Sequence, residues 1–100
     1  MAKKKLSYKE IMKKLEEHKN DICKYGVRKI GLFGSFLRNK QKRGSDIDIL
    51  VSFDRVTFDN YIGLKFLLEK ILRREVDLVI EKDLRSELNY VKDEVRYARL

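Results

Sequence analysis

The segment DIDILVSF, residues 46–53, constrains the fold more than any other part of the chain, because charged and apolar side chains alternate at its start. Successive side chains of an extended strand point to opposite faces, so the carboxylates of Asp46 and Asp48 would project from one face, about 6.5 to 7 Å apart. The opposite face would carry aliphatic side chains, namely Ile47, Ile49 and Val51. The segment therefore predicts a strand with a hydrophobic core on one side and paired carboxylates on the other.

The first third of the chain predicts a helix followed by another strand. Ser7 and Glu10 have the spacing of a capping box, and apolar residues recur at helical spacing after them. We therefore expect a helix over residues 7–25, ended by Gly26 because glycine readily takes the left-handed conformation. His18 lies on the apolar stripe of this helix and is expected at the boundary of the core rather than in catalysis. The apolar run VRKIGLF that follows predicts a buried strand.

The second half predicts two more helices and a third strand. Thr57 or Asp59 is expected to cap a core helix that contains YIGLKFLLEKILRR. The core-facing stripe of this helix is expected to contain Ile62, Phe66, Leu67 and Ile71. EVDLVI predicts the third strand, and residues 83–100 predict an amphipathic helix. The apolar face of that last helix would comprise Leu84, Leu88, Val91 and Val95.

The order of these elements predicts the class of fold. SFLRNK is compatible with one or two helical turns and QKRGS with a polar loop, so the order is helix, strand, short helix, strand, helix, strand, helix. Such an order predicts an α+β fold, a mixed α/β sandwich in which helices pack on a small three-stranded mixed sheet. With 100 residues, we expect one domain over residues 1–100.

The composition excludes a disordered chain and a membrane-spanning one. Hydrophobic residues make up 43% of the chain, which is enough for a packed core. No apolar run approaches the roughly 20 residues that a membrane span requires, and MAKKKLSYKE lacks the apolar stretch of a signal peptide. The single cysteine, Cys23, cannot form a disulfide within the chain, which agrees with a reducing compartment. We therefore expect a cytoplasmic protein.

Positive charge is concentrated in the first half of the chain. The formal net charge is +8, and residues 1–45 contain 14 Lys and Arg against four Asp and Glu. Such a field favours a polyanionic partner or substrate. The charge alone does not distinguish among RNA, DNA, a nucleoside triphosphate and an acidic protein surface as the partner.

The carboxylates of Asp46 and Asp48 predict a metal site. Two carboxylates on one face repel each other unless a cation lies between them. Mg²⁺ is commonly held by one or two carboxylates together with substrate phosphates, and two such ions can stabilise the attacking and leaving oxygens of a phosphoryl transfer. Asp77 interrupts the third apolar strand, and it would join the cluster if that strand lies beside the DID strand.

Gly34 and Ser35, at the end of the first predicted strand, predict the phosphate-binding part of the site. Glycine lets the backbone approach a phosphate closely, and the Ser35 hydroxyl and the N–H groups after it can donate to anionic oxygens. Arg38 could add a guanidinium to the same phosphates. The rest of the basic loop, as far as Arg43, could either contact phosphate or be solvated.

These two motifs together match a known signature. GSFLRNKQKRGSDIDILV resembles the pattern Gly-Ser, ten residues, Asp-x-Asp of the polymerase-β-type nucleotidyltransferase superfamily, and notably of its minimal nucleotidyltransferase (MNT) family. The resemblance covers the whole chain, since that family consists of single domains of about this size with a third Asp on the following strand. It implies that two Mg²⁺ ions and the catalytic chemistry depend on Asp46, Asp48 and Asp77. It also implies that the triphosphate of ATP is bound by Gly34, Ser35 and Arg38.

The resemblance further implies an activity and a partner. MNT proteins pair with HEPN-domain proteins as antitoxin and toxin, so we expect AMP transfer from ATP to a protein hydroxyl, such as a tyrosine of a HEPN-type toxin. The chain would then be an Mg²⁺-dependent protein adenylyltransferase that forms a hetero-oligomer with its target. Two alternatives stay open at this stage. The chain could neutralise a ribonuclease by covering it without catalysis, or it could bind nucleic acid non-specifically, with an affinity that falls steeply with salt.

Overall fold

The fold was obtained as a computed structural model that describes residues 7–34, 46–83 and 95–100. Within these ranges the elements are α1 (Tyr8–Glu17), α2 (Lys19–Cys23), β1 (Val27–Phe33), β2 (Ile47–Phe53), α3 (Phe58–Leu72), β3 (Val76–Ile80), a 3-10 turn (Glu81–Asp83) and β4 (Arg96–Tyr97). The α+β class predicted from the sequence is confirmed. The described residues form a sheet of four strands rather than the three that were expected.

The four strands lie in the order β3-β2-β1-β4. The pairs β1–β2 and β1–β4 are antiparallel, whereas β2–β3 is parallel. Parallel neighbours need a crossover connection, and α3 supplies it between β2 and β3. The sheet is therefore mixed, as predicted.

The hydrophobic core lies between one face of the sheet and helices α1, α2 and α3. The sheet contributes alternate residues of its central strands, including Ile30, Leu32, Ile47, Ile49 and Val51. The helices contribute Ile11, Leu15, Ile22, Leu64, Leu68 and Leu72. Each fully buried aliphatic side chain stabilises the fold by roughly 1.5 to 3 kcal/mol relative to an exposed one. No helix of the described ranges is both long enough and apolar enough to cross a membrane.

The first predicted helix is interrupted at His18. Its start is as expected, because the Ser7 hydroxyl accepts a hydrogen bond from the Glu10 N–H at 3.3 Å. His18, however, has φ −105° and ψ 19°, which divides the segment into α1 and α2. The sequence HKND at this point contains three weak helix formers, which accounts for the break. The interruption is local, because the His18 N–H still donates to the carbonyl of Lys14.

The face that α3 turns to the core is not the predicted one. Thr57 caps the helix, as one of the two expected alternatives. The buried side chains are Leu64, Leu68 and Leu72. The predicted core residue Phe66 is 63% exposed, and Ile62, Leu67 and Ile71 are only partly buried. Apolar residues surround almost the whole helix, so periodicity could not select a face, and the position of the sheet decides it.

The last predicted helix is wrong at its end, where the chain forms β4. Arg96 pairs with Leu32 and Tyr97 with Gly31, and the Ala98 N–H donates to the Ile30 carbonyl at 2.8 Å. Without β4, the backbone N–H and C=O groups along this edge of β1 would be unpaired. β4 forms hydrogen bonds with part of this edge. Residues 84–94 of that predicted helix, and the short helix and loop expected over residues 35–45, lie outside the described ranges.

Candidate active site

The parallel register of β2 and β3 brings two of the predicted carboxylates together. Asp48 is the direct partner of Asp77 across the two strands, and neighbouring strands lie about 4.8 Å apart. Asp46 stands two residues before Asp48, immediately ahead of β2. The structure therefore gathers Asp46, Asp48 and Asp77 at one end of the sheet, on the side away from the helices. Asp46 and Asp77 are exposed and Asp48 is half-buried.

Two contacts from α3 fix the position of Asp77. The Tyr61 hydroxyl donates to the carbonyl of Leu78 at 2.8 Å. The Val76 N–H donates to the Glu69 carboxylate at 3.1 Å. These bonds hold the residues on both sides of Asp77, so the crossover helix places this carboxylate against β2.

Burial and the neighbouring carboxylates change the protonation of Asp48. Its pKa is raised from 3.8 to about 6, first by burial and then by the negative charges of Asp77 and Asp46. At neutral pH most Asp48 side chains are still ionised, next to two further carboxyl groups. A bound cation would offset this unfavourable arrangement.

Gly34 connects the first motif to this cluster. It follows β1, whose last residue Phe33 pairs with Asp48. A Cβ atom at Gly34 would overlap the Asp48 carboxylate, and the backbone there has φ 77°. Both observations require glycine, because other residues rarely take this conformation. The turn after β1 therefore lies directly against the DID strand.

The other predicted phosphate-binding residues, Ser35 and Arg38, lie outside the described ranges. Within those ranges, no three acidic, histidine or cysteine side chains lie close enough to form a metal site by themselves. The oxygen donors of the carboxylates suit Mg²⁺, which in proteins usually completes its coordination with water and substrate phosphates. The residues present thus fit a magnesium ion bound together with its nucleotide.

Tyr97 lies on the same face of the sheet as Asp48, and no local feature of the sequence predicts it. It is 41% exposed, and its hydroxyl donates to the Glu81 carboxylate at 3.2 Å. The Lys29 ammonium lies 5.7 Å from the ring centre. Burial, followed by the charge and hydrogen bond of Glu81, raises the pKa of Tyr97. No local pattern could have revealed this placement, because it depends on the pairing of β4 with β1.

Asp48 on β2 and the Gly34 turn after β1 lie side by side, as expected for a nucleotidyltransferase. A family model, the nucleotidyltransferase domain, matches residues 9–100. The chain belongs to this family.

Individual proteins agree with that assignment. The chain is 41% identical over 83 residues to the protein adenylyltransferase MntA of Thermococcus cleftensis, covering 81% of this chain and 84% of the relative. It also resembles one chain of a toxin–antitoxin crystal structure with AMP-PNP, at 25% identity and a TM-score of 0.65, covering 82% of this chain and 70% of the other.

A second solved structure is that of a tri-AMPylated HEPN toxin from Shewanella oneidensis in complex with MNT antitoxin. One of its chains is 25% identical to this chain with a TM-score of 0.54, covering 81% of this chain and 68% of the other. The resemblance to the MNT family that was expected from the sequence is confirmed.

Proposed function

We propose that the chain transfers AMP from ATP to a hydroxyl group of a partner protein. The observation that carries this proposal is the register that aligns Asp48 with Asp77 while Gly34 packs on the Asp48 carboxylate. A relative of this chain bears the name protein adenylyltransferase. One similar solved complex contains a triphosphate analogue, and another contains an AMPylated toxin.

Asp46, Asp48 and Asp77 would hold Mg²⁺, which when bound neutralises phosphate charge and orients the triphosphate. Asp48 is half-buried and is affected by the charges of both Asp77 and Asp46, so it would be the central ligand. Its pKa is raised first by burial and then by repulsion from these two carboxylates, and the cation would relieve the repulsion. The requirement for Mg²⁺, and for two ions rather than one, is part of the proposal.

The remaining groups would position the substrates for in-line attack. The turn at Gly34, with Ser35 and Arg38 after it, would donate hydrogen bonds to the triphosphate. Asp77, which is exposed on β3, would take the proton of the acceptor hydroxyl. The hydroxyl oxygen forms a bond to the α-phosphorus, the bond to the β-phosphate oxygen breaks, and pyrophosphate leaves. AMP thus becomes attached to the acceptor.

The acceptor we propose is a tyrosine of a HEPN-type toxin, with which this chain would form a hetero-oligomer in the cytoplasm. A domain of this size offers few walls of its own around the carboxylates, so the acceptor surface would come from the partner. AMP attachment would inactivate the toxin, which makes the chain an antitoxin.

The direct test incubates the chain with its HEPN-type partner, Mg²⁺ and ATP labelled at the α-phosphate. We expect label on the partner, and a loss of about a thousandfold in rate for an Asp46→Asn, Asp48→Asn double variant. The matched control is Asp54→Asn, because Asp54 is an exposed residue just after β2 that pairs with Arg28 at 3.2 Å. It should transfer at the normal rate.

Label transfer that persists in the double variant would refute the assigned site. Neutralisation of the toxin that survives substitution of Asp46, Asp48 and Asp77 together would instead favour a binding antitoxin that covers its partner without catalysis.

A further inference from the structure

A second concave site lies in the helical layer, on the side of the sheet opposite Asp48. A cleft of about 480 Å³ opens between α1, α2 and α3. Its floor is aliphatic, formed by Leu67 and Ile71, and its rim carries Lys14, Lys70 and Arg73. This volume lies within the roughly 300 to 1,000 Å³ that is typical of small-molecule sites.

The three cations at the rim have no acidic partner among the described residues. Within the described ranges, none of Lys14, Lys70 and Arg73 has a carboxylate oxygen within the 4.0 Å of an ion pair. Three positive charges around one concavity repel each other, and an anion bound among them would relieve that repulsion.

Two carboxylates near these cations have other partners. Asp21, on the wall of the cleft, lies 3.8 Å from His18 and 3.6 Å from Lys24. Glu69, one residue before Lys70, accepts the N–H of Val76 and so holds the start of β3. Asp21 is the one carboxylate among the described residues that line the cleft, so the three cations outnumber it.

Arg73 ends α3 in the left-handed conformation, and its N–H donates to the Glu69 carbonyl. It follows α3 with φ 55°, and it is the only non-glycine residue of the described ranges with a positive φ. Glycine is the usual residue at such a position, because a side chain there is strained. A positive charge near the C-terminal end of a helix is favourable in general. This accounts for Lys70, but it does not require an arginine in the left-handed conformation at position 73. Strain of this kind is often found at functional sites.

We propose that this cleft binds a small organic phosphate of about the size of a nucleoside monophosphate. The phosphate would lie among Lys14, Lys70 and Arg73, and the organic part would cover Leu67 and Ile71. Arginine and lysine at one rim suit a doubly charged phosphate better than a single carboxylate. The aliphatic floor and the volume favour an organic phosphate over an inorganic ion. The site is separate from the carboxylate cluster and does not depend on the proposed transfer reaction.

The test is a titration of the ¹⁵N-labelled chain with AMP in EDTA, followed by NMR. We expect the largest shifts in the amides of residues 67–73 and 14–18. A Lys70→Gln, Arg73→Gly variant should bind AMP at least about tenfold more weakly. Its melting temperature should not fall, because glycine removes the strain at position 73. Inorganic phosphate should bind the unchanged chain about tenfold more weakly than AMP.

The matched control is Lys13→Gln, Lys19→Gln, which removes two exposed lysines of the same two N-terminal helices outside the cleft. It should change the affinity for AMP less than about twofold. An equal loss in both variants would overturn the proposal, since the attraction would then be a property of the net charge alone. Equal affinities for AMP and inorganic phosphate, or shifts confined to the carboxylate face, would overturn it as well.

Discussion

The two faces of the sheet contribute to stability in opposite ways, although alternate residues of the same strands form them. On the helix-covered face, Ile47, Ile49 and Val51 are fully buried and stabilise the fold. On the other face, Asp48 and Asp77 lie side by side and repel each other. The stability of the helix-covered face holds the carboxylate face in place. Truncation of a core side chain should therefore destabilise the fold, whereas neutralisation of Asp48 should stabilise it.

The largest effect on stability is expected in the core. Leu68→Ala should lower the free energy of unfolding by about 3 kcal/mol, because it removes a fully buried side chain and leaves a cavity. Phe66→Ala, two positions away on the same helix, should change it by less than about 0.5 kcal/mol, because Phe66 is mostly exposed. Urea denaturation measures both. Similar losses for the two variants would show that α3 turns the predicted face to the sheet after all.

The next largest effect is expected for alanine substitutions at two glycines that have the same backbone conformation. Gly34 and Gly26 have φ 77° and 78°, but a Cβ atom meets the Asp48 carboxylate at the first and only an ordinary contact with Asn60 at the second. Gly26→Ala should destabilise the fold by about 1 kcal/mol and leave AMP transfer intact. Gly34→Ala should cost about 2 kcal/mol and also lower transfer at least tenfold, because it displaces Asp48. Equal transfer by the two variants would contradict the packing of Gly34 on the site.

A smaller effect comes from the titration of Asp48. Its pKa in the folded chain, about 6, exceeds the ordinary value of 3.8, so the folded state holds this proton more tightly than the unfolded state. As pH rises from about 4 to 6, the free energy of unfolding should fall by about 1 kcal/mol, after allowance for partial exposure. Asp48→Asn should remove this dependence and stabilise the metal-free chain at pH 7. Denaturation curves in EDTA test the sign, and an Asn variant that is less stable at pH 7 would refute it.

The smallest effect is expected for loss of the hydrogen bond by which α3 holds β3 next to Asp77. Tyr61→Phe removes the hydrogen bond to the Leu78 carbonyl and should lower the free energy of unfolding by about 1 kcal/mol. AMP transfer should fall severalfold, because Asp77 is less firmly held. Tyr25→Phe is the control, since its ring packs on Gly63 and keeps that contact in the variant. Transfer by Tyr61→Phe at the rate of the control would show that Asp77 needs no such anchor.

Much of the fold could be predicted because the strands carry their own patterns. The DID alternation predicted β2, and apolar runs bounded by glycine or charge predicted β1 and β3. The crossover from β2 to β3 then made it natural for Asp77 to lie beside Asp48, as the structure has it. The roles of these carboxylates, and of Ser35 and Arg38, remain predictions.

The errors arose where long-range contacts override local pattern. The face of α3 depends on where the sheet lies, because the helix is apolar on nearly every side. β4 exists because β1 has an edge to fill, a condition that no residue near Arg96 and Tyr97 reveals. The cleft between the helices could not be predicted for the same reason, because its cations are far apart along the chain.

The pairing of β3 with β2 has a consequence for how reliably the site is assembled. A shift of one residue in this pairing would turn Asp77 toward the helices and expose Leu78, which now lies beside Ile49 in the core. The misaligned chain would bury a charge and lose apolar contacts at once, so it could not compete with the native pairing. Packing of the hydrophobic layer thus selects the strand register that aligns the carboxylates. A stably folded chain therefore has Asp48 and Asp77 opposite each other.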